Sequence, residues 1–119
     1  MAEELAPAPR STSGRDVFIS YASPDKAVAD AVCAALEAAG VTCWIAPRDV
    51  TPGEFYAESI VHALDSSRVI ALVLSQHAAD SNHVVREVER ASSKRHPVVS
   101  LRIDTAHLPA GLEYFLNTS

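Results

Sequence analysis

The segment Asn82-His83-Val84-Val85-Arg86-Glu87-Val88 sets an imidazole and a carboxylate four residues apart. At that spacing the two side chains share one face of a helix. Val84 and Val88 lie beside that face and point to the core, so Glu87 borders an apolar stripe near the helix N-terminal half. Burial raises the pKa of such a carboxylate, and the positive helix N-terminus opposes that shift. A perturbed carboxylate at a cleft is a candidate for chemistry. The same residues also suit a solvated face on which Arg86, Glu87, Glu89 and Arg90 exchange local ion pairs, and spacing alone favours that plainer reading.

Other chemistries lack their residues. His62, His77, His83, His96 and His107 show no HExxH spacing, so no metal is assigned. Cys33 and Cys43 sit in apolar stretches without CxxC spacing and read as buried, reduced thiols of a cytosolic protein. No GxGxxG follows the first strand, no GxxxxGK[ST] occurs, and there is no GxSxG elbow. A phospho-receiver needs paired acids at the end of the first strand, where Tyr21-Ala22-Ser23 stands instead.

The elements that must carry Glu87 follow from periodicity. Asp16 to Tyr21 is nearly all apolar, as a strand buried on both faces would be. Ser23 is a good N-cap and Pro24 a good first helical residue, so a helix is expected from Pro24 to about Ala39. Its core stripe reads Val28, Val32, Ala35, Leu36 and Ala39, with Gly40 as the stop. Val41 to Ala46 is a second strand and Pro47 to Gly53 a loop. A second helix spans about Glu54 to Ser66, with Tyr56, Ile60, Ala63 and Leu64 facing the core. Arg68 to Ser75 is a third strand. The helix of Glu87 runs from a cap at Asp80-Ser81-Asn82 to Lys94-Arg95, whose cations suit the negative end of its dipole. Val98 to Ile103 is a fourth strand, and Leu108 to Leu116 a short last helix.

Strands alternating with helices and short returns imply right-handed βαβ units and a parallel sheet with helices on both faces. The expected fold is a flavodoxin-like α/β three-layer sandwich with at least four strands. Ligands of such sheets bind at the carboxyl ends of the strands. Here that edge carries Tyr21 to Ser23, Pro47 to Gly53, Ser75 to Asn82 and Asp104 to His107.

The chain has 119 residues, 48% hydrophobic, which suits one domain with its own core. Residues 1–14 are rich in Ala, Pro and Ser without periodicity and read as a disordered leader or linker, leaving 15–119 as the domain. A net charge of −5 without a basic block argues against nucleic-acid binding. The longest apolar run, Val69 to Leu74, is too short to span a bilayer.

Four boxes in order resemble the TIR (Toll/interleukin-1 receptor-like) domain, in its bacterial form. Asp16 to Tyr21 matches the family's opening "DVFISY" strand. Arg48-Asp49-Val50-Thr51-Pro52-Gly53 resembles its "RDxxPG" loop, Ser67-Arg68 into Ser75 its third strand, and Asn82 to Val88 its "WxxxEL" helix. The family's Trp is replaced by His83, and the chain ends before the family's usual fifth strand and last helix, as a fragment or a trimmed variant would. The resemblance implies a cytoplasmic NAD⁺ hydrolase that needs no cofactor beyond its substrate. Glu87 would be catalytic. Ser20, Tyr21, Phe55 and His83 would contact substrate, and Arg48 and Asp49 would bind it or shape the loop over the pocket. Phe55 suits an anchor for the second helix equally well. The resemblance further implies homo-oligomers with other TIR domains through the 47–54 loop. Two rival readings stand beside the enzyme: an interaction module without catalysis, and a sensor that binds NAD⁺-like ligands without cleaving them.

Overall fold

The computed structural model describes residues 14–105. Four strands form one sheet: β1 (Val17–Ser20), β2 (Cys43–Trp44), β3 (Val69–Leu74) and β4 (Val98–Arg102). Their spatial order is β2-β1-β3-β4, and every pairing is parallel. Val17 is in register with both Cys43 and Val69, and Leu72 with both Ser20 and Ser100. The helices are α1 (Lys26–Ala38), α2 (Tyr56–Ser66), the single turn α3 (Gln76–Ala79) and α4 (Asn82–Ser93).

Alternation along the strands splits the core into two faces. Ile19, Cys43, Ile45, Ala71 and Val73 pack with Ala29 and Cys33 of α1. Phe18, Trp44 and Ile70 pack with Ile60, Ala63 and Leu64 of α2 and Ala91 of α4. Leu72 and Leu74 complete that second face against Val84 and Val88 of α4. Phe18 and Trp44 stack with ring centroids 5.2 Å apart. Burying each large aliphatic side chain of this kind stabilises by about 1.5–3 kcal/mol. The result is the expected α/β sandwich, with α1 on one face and α2, α3 and α4 on the other.

Several local expectations are corrected. Ser23 does not cap a helix: Ser23–Asp25 forms a 3-10 turn and α1 proper begins at Lys26. α1 is rotated so that Asp25, Ala29 and Cys33 face inward, while Val28 is 37% exposed and Ala35 is exposed. Buried Asp25 sets that phase by accepting a hydrogen bond from Ser75 Oγ at the end of β3. Small residues at positions 29 and 33 then let α1 approach the sheet closely.

β2 is two residues long because the Ile45 N–H turns away to the Asp49 carboxylate (3.0 Å). The next peptide bond, Ala46–Pro47, is cis. α2 starts at Tyr56, which is 52% exposed; Ser59 takes the inward place and its Oγ accepts the Thr51 N–H (3.0 Å). α3 was not expected, and Ser75 Oγ caps it by accepting the Ala78 N–H. α4 is capped as expected, Ser81 Oγ accepting from the Val84 N–H, and beyond its C-cap Lys94 the chain turns left-handed at Arg95 (φ 63°). β4 is mostly exposed, being the outer described strand. The expected 1–14 leader, but for Gly14, and the last helix lie outside the described residues.

Candidate active site

Ser20 closes β1 and points to the face covered by α4. It is 1% exposed, and its Oγ donates to Glu87 Oε1 at 2.7 Å. Glu87 itself is 6% exposed, so the solvated-face reading of this residue is overturned. Its second oxygen, Oε2, lies 2.8 Å from His83 Nε2, one turn earlier on α4. The hydrogen bond to Glu87 raises the His83 pKa above its ordinary value, against the opposing effect of burial. Both carboxylate oxygens therefore have partners, one buried and neutral, one half-exposed and titratable.

Glu87 borders two neighbouring cavities. The smaller, about 60 Å³, lies at the carboxyl ends of β1 and β2 between Tyr21, Ser23, Trp44, Ala46, Tyr56 and His83. The larger, about 250 Å³, is a groove between α2 and α4. Its apolar wall is Tyr56, Ala57, Ile60, Val61 and Leu64, and its polar wall is His83, Arg86, Glu87 and Arg90. Tyr56, His83 and Glu87 line both. Arg90 is held by Asp65 through two bonds of 2.7 Å. Arg86, by contrast, has no ion pair among the described residues and faces the groove as a cation.

Tyr21 stands at the mouth of the smaller cavity, its hydroxyl donating to the Ala46 carbonyl at 2.5 Å. Burial pushes its phenol pKa up. Arg48 and Asp49 line neither cavity in this conformation. Arg48 grips Glu37 of α1 with two bonds (3.0 and 2.8 Å) and the Cys43 carbonyl with a third (3.1 Å). These hydrogen bonds to Glu37 and Asp49 raise the guanidinium pKa. Asp49 in turn holds the Ile45 N–H and lies 3.5 Å from Arg15. The pair thus fastens the base of the 47–54 loop. Phe55 also lines neither cavity: it is 77% exposed at the N-cap of α2 and anchors nothing in the core.

The structure therefore gathers Ser20, Tyr21, His83 and Glu87, and leaves Arg48, Asp49 and Phe55 around them. Sequence reasoning missed Trp44, Tyr56 and Arg86. Tyr56 was assigned to the core stripe of α2, and Arg86 to a solvated face. Only the rotation of α2 and the groove beside α4 reveal their positions.

A family model described as TIR domain matches residues 17–118. The chain belongs to the TIR domain family. Among solved structures, the TIR domain of the Toll-related receptor TRR-2 from Hydra magnipapillata is 29% identical, with a TM-score of 0.75 over 84% of this chain and 79% of that one. A metazoan TIR-STING receptor from C. gigas is 24% identical with a TM-score of 0.69; the match covers 96% of this chain but 38% of the receptor. The TIR domains of the activated Roq1 resistosome, which recognises the pathogen effector XopQ, share 18% identity and a TM-score of 0.68, over 88% of this chain and 70% of that one. The last two show likeness of fold alone. No curated protein sequence matches the chain. Among the described residues no helix is long and apolar enough to cross a membrane.

Proposed function

We propose that this domain hydrolyses NAD⁺ at the bond between nicotinamide and ribose, with Glu87 as the catalytic residue. The observation that carries the reading is a carboxylate 6% exposed that nonetheless borders two cavities. A structural carboxylate in the core would be enclosed by its partners. This one has a hydroxyl behind it and open space in front.

Nicotinamide leaves as a neutral base from a cationic substrate, and positive charge gathers on the ribosyl carbon. A fixed anion beside that carbon stabilises the transition state. Water then supplies hydroxide to the carbon and a proton to solvent, giving ADP-ribose and nicotinamide; capture by the substrate's own adenine would give a cyclic isomer instead. Glu87 either guides that water or forms a transient ester, as carboxylates do in glycosidases. Ser20 holds its carboxylate in place from behind, and His83 modulates its charge. No cofactor is required, and the substrate and the reduced thiols suit a cytoplasmic setting.

The test is nicotinamide release from NAD⁺ by concentrated protein, followed by chromatography. Glu87→Gln keeps the shape and a hydrogen bond from Ser20 but removes the charge. It is expected to lower release by about 100-fold or more, the scale at which single electrostatic groups act. Turnover equal to that of the unsubstituted chain would end the enzymatic reading.

A second reading, association with other TIR domains through the 47–54 loop, is favoured by Phe55. A phenyl ring 77% exposed two residues after the exposed Pro52-Gly53 turn is a natural contact. The two readings are compatible, and the loop's partner would be a second copy of this chain.

A further inference from the structure

The geometry points to a binding site for a thiophilic divalent metal ion formed by Cys33, Glu37 and Cys43, on the face of the sheet opposite Glu87. Cys33 lies on α1 and Glu37 one turn later, so both project along the same side of that helix. Cys43 is the first residue of β2. The two thiols are free, 2% and 1% exposed, while Glu37 reaches the surface. Both sulfurs and a Glu37 oxygen lie within 4.8 Å of one another. The residues separating Cys33 from Cys43 form no familiar ligand spacing; folding of α1 onto β2 closes the gap.

Magnitudes decide between an ion and a disulfide. Zinc–sulfur bonds of about 2.3 Å and zinc–oxygen bonds of about 2.0–2.2 Å in a tetrahedron set ligand atoms roughly 3.5–3.8 Å apart. A disulfide needs its sulfurs at about 2.05 Å. From a spacing of at most 4.8 Å, side-chain shifts of about one ångström suffice for the ion once Glu37 cedes one of the two oxygens it gives to Arg48. Thiolates select soft or borderline ions such as zinc and cadmium over magnesium or calcium. Water supplies the fourth ligand, on the side where Glu37 meets solvent.

Charge also balances. Arg15 and Arg48 stand beside Glu37 and Asp49, two cations against two carboxylates. A divalent ion that replaces the two thiol protons leaves that sum at zero. Metal ligation needs thiolates, so each thiol proton must depart to solvent when the ion enters. Apparent affinity then rises about 100-fold per pH unit, the mark of two displaced protons. An ion held by α1 and β2 together binds only the folded chain and so raises its melting temperature.

The test is titration of the reduced, chelator-treated chain with Cd²⁺ and Zn²⁺. One Cd²⁺ per chain should bind with a thiolate-to-metal absorption band and two protons released, and Zn²⁺ should raise Tm. Cys33→Ala and Cys43→Ala should abolish the band. Glu37→Gln removes the carboxylate ligand and also its ion pair with Arg48; with the metal-free Tm of the same variant as its control, it should weaken Zn²⁺ binding about tenfold, which keeps the test decisive if either cysteine variant fails to fold. Absence of the band in the folded chain, a band that survives Cys33→Ala, unchanged affinity in Glu37→Gln, or fewer than two protons released would each overturn the site. So would loss of both thiols to a disulfide with no metal bound. None of these measurements involves NAD⁺ turnover, so the result is independent of the Glu87 reading.

Discussion

Glu87 is placed by contacts from two elements, and each contact predicts a measurable effect. Ser20 Oγ is buried and directed at the carboxylate, so it acts through Glu87. Ser20→Ala deletes a buried hydrogen bond to a charged group, which costs about 1.5–3 kcal/mol in stability. If about 1.4 kcal/mol of that positioning is also lost in the transition state, turnover falls about tenfold. Denaturant unfolding and nicotinamide release measure the two separately. His83 makes the opposite face of the site pH-dependent. Its folded pKa is raised above the ordinary 6.5 by Glu87. The pair's stabilisation is therefore complete below the unfolded pKa and fades as pH rises through the folded one. The effect is small, because His83 is half exposed and solvent screens the pair. On the proposed reaction, activity would run the other way: losing the imidazolium charge would free Glu87 to face a ribosyl cation, so nicotinamide release should rise with pH across that interval. His83→Ala should flatten both profiles; a pH–rate curve of unchanged shape would remove His83 from the site.

The rotation of α1 is the clearest test of packing at the level of elements. Val28 is exposed and Ala29 fully buried against the sheet. Val28→Ala should change stability by less than about 0.5 kcal/mol, as surface substitutions do. Ala29→Leu should cost about 1–3 kcal/mol by overpacking. Thermal or urea unfolding of the two variants distinguishes this phase from the Val28 stripe that hydropathy favours. Val32 and Leu36 of that stripe do pack on the core, but Val28 was misread because Val is more apolar than Ala, whereas proximity to the sheet rewards the smaller side chain. The Asp25–Ser75 hydrogen bond that sets the phase joins residues 50 apart and has no local signature. By contrast, the alternation of strands and helices, the parallel sheet, the caps at Ser81 and Gly40 and the edge where Glu87 sits were all legible, since each rests on local composition or alternation. The burial of Glu87 was not: only the facing Ser20, 67 positions away, distinguishes it from its exposed neighbours Arg86 and Glu89.

At the scale of the whole molecule, the crown of the sheet divides into a site and a projecting loop. The loop's base is tied by Arg48 to α1, on the far face from α4. Phe55 at its end is free of the core. Phe55→Asp should leave the unfolding midpoint nearly unchanged and weaken self-association about tenfold, read by light scattering or sedimentation across a concentration series. Equal association of the two proteins would move the contact elsewhere.

The Tyr21 hydroxyl joins these two territories, because its acceptor is the carbonyl of Ala46, the last residue before the loop. A guest in the small cavity that recruits this phenol deprives Ala46 of its donor and loosens the hinge of the projection. Linkage makes the exchange mutual: whatever docking does to occupancy, occupancy does to docking by the same factor. On the proposed function, crowding copies together should therefore tune how firmly each one would hold a nicotinamide compound, through the single phenolic hydrogen bond that loop and cavity share.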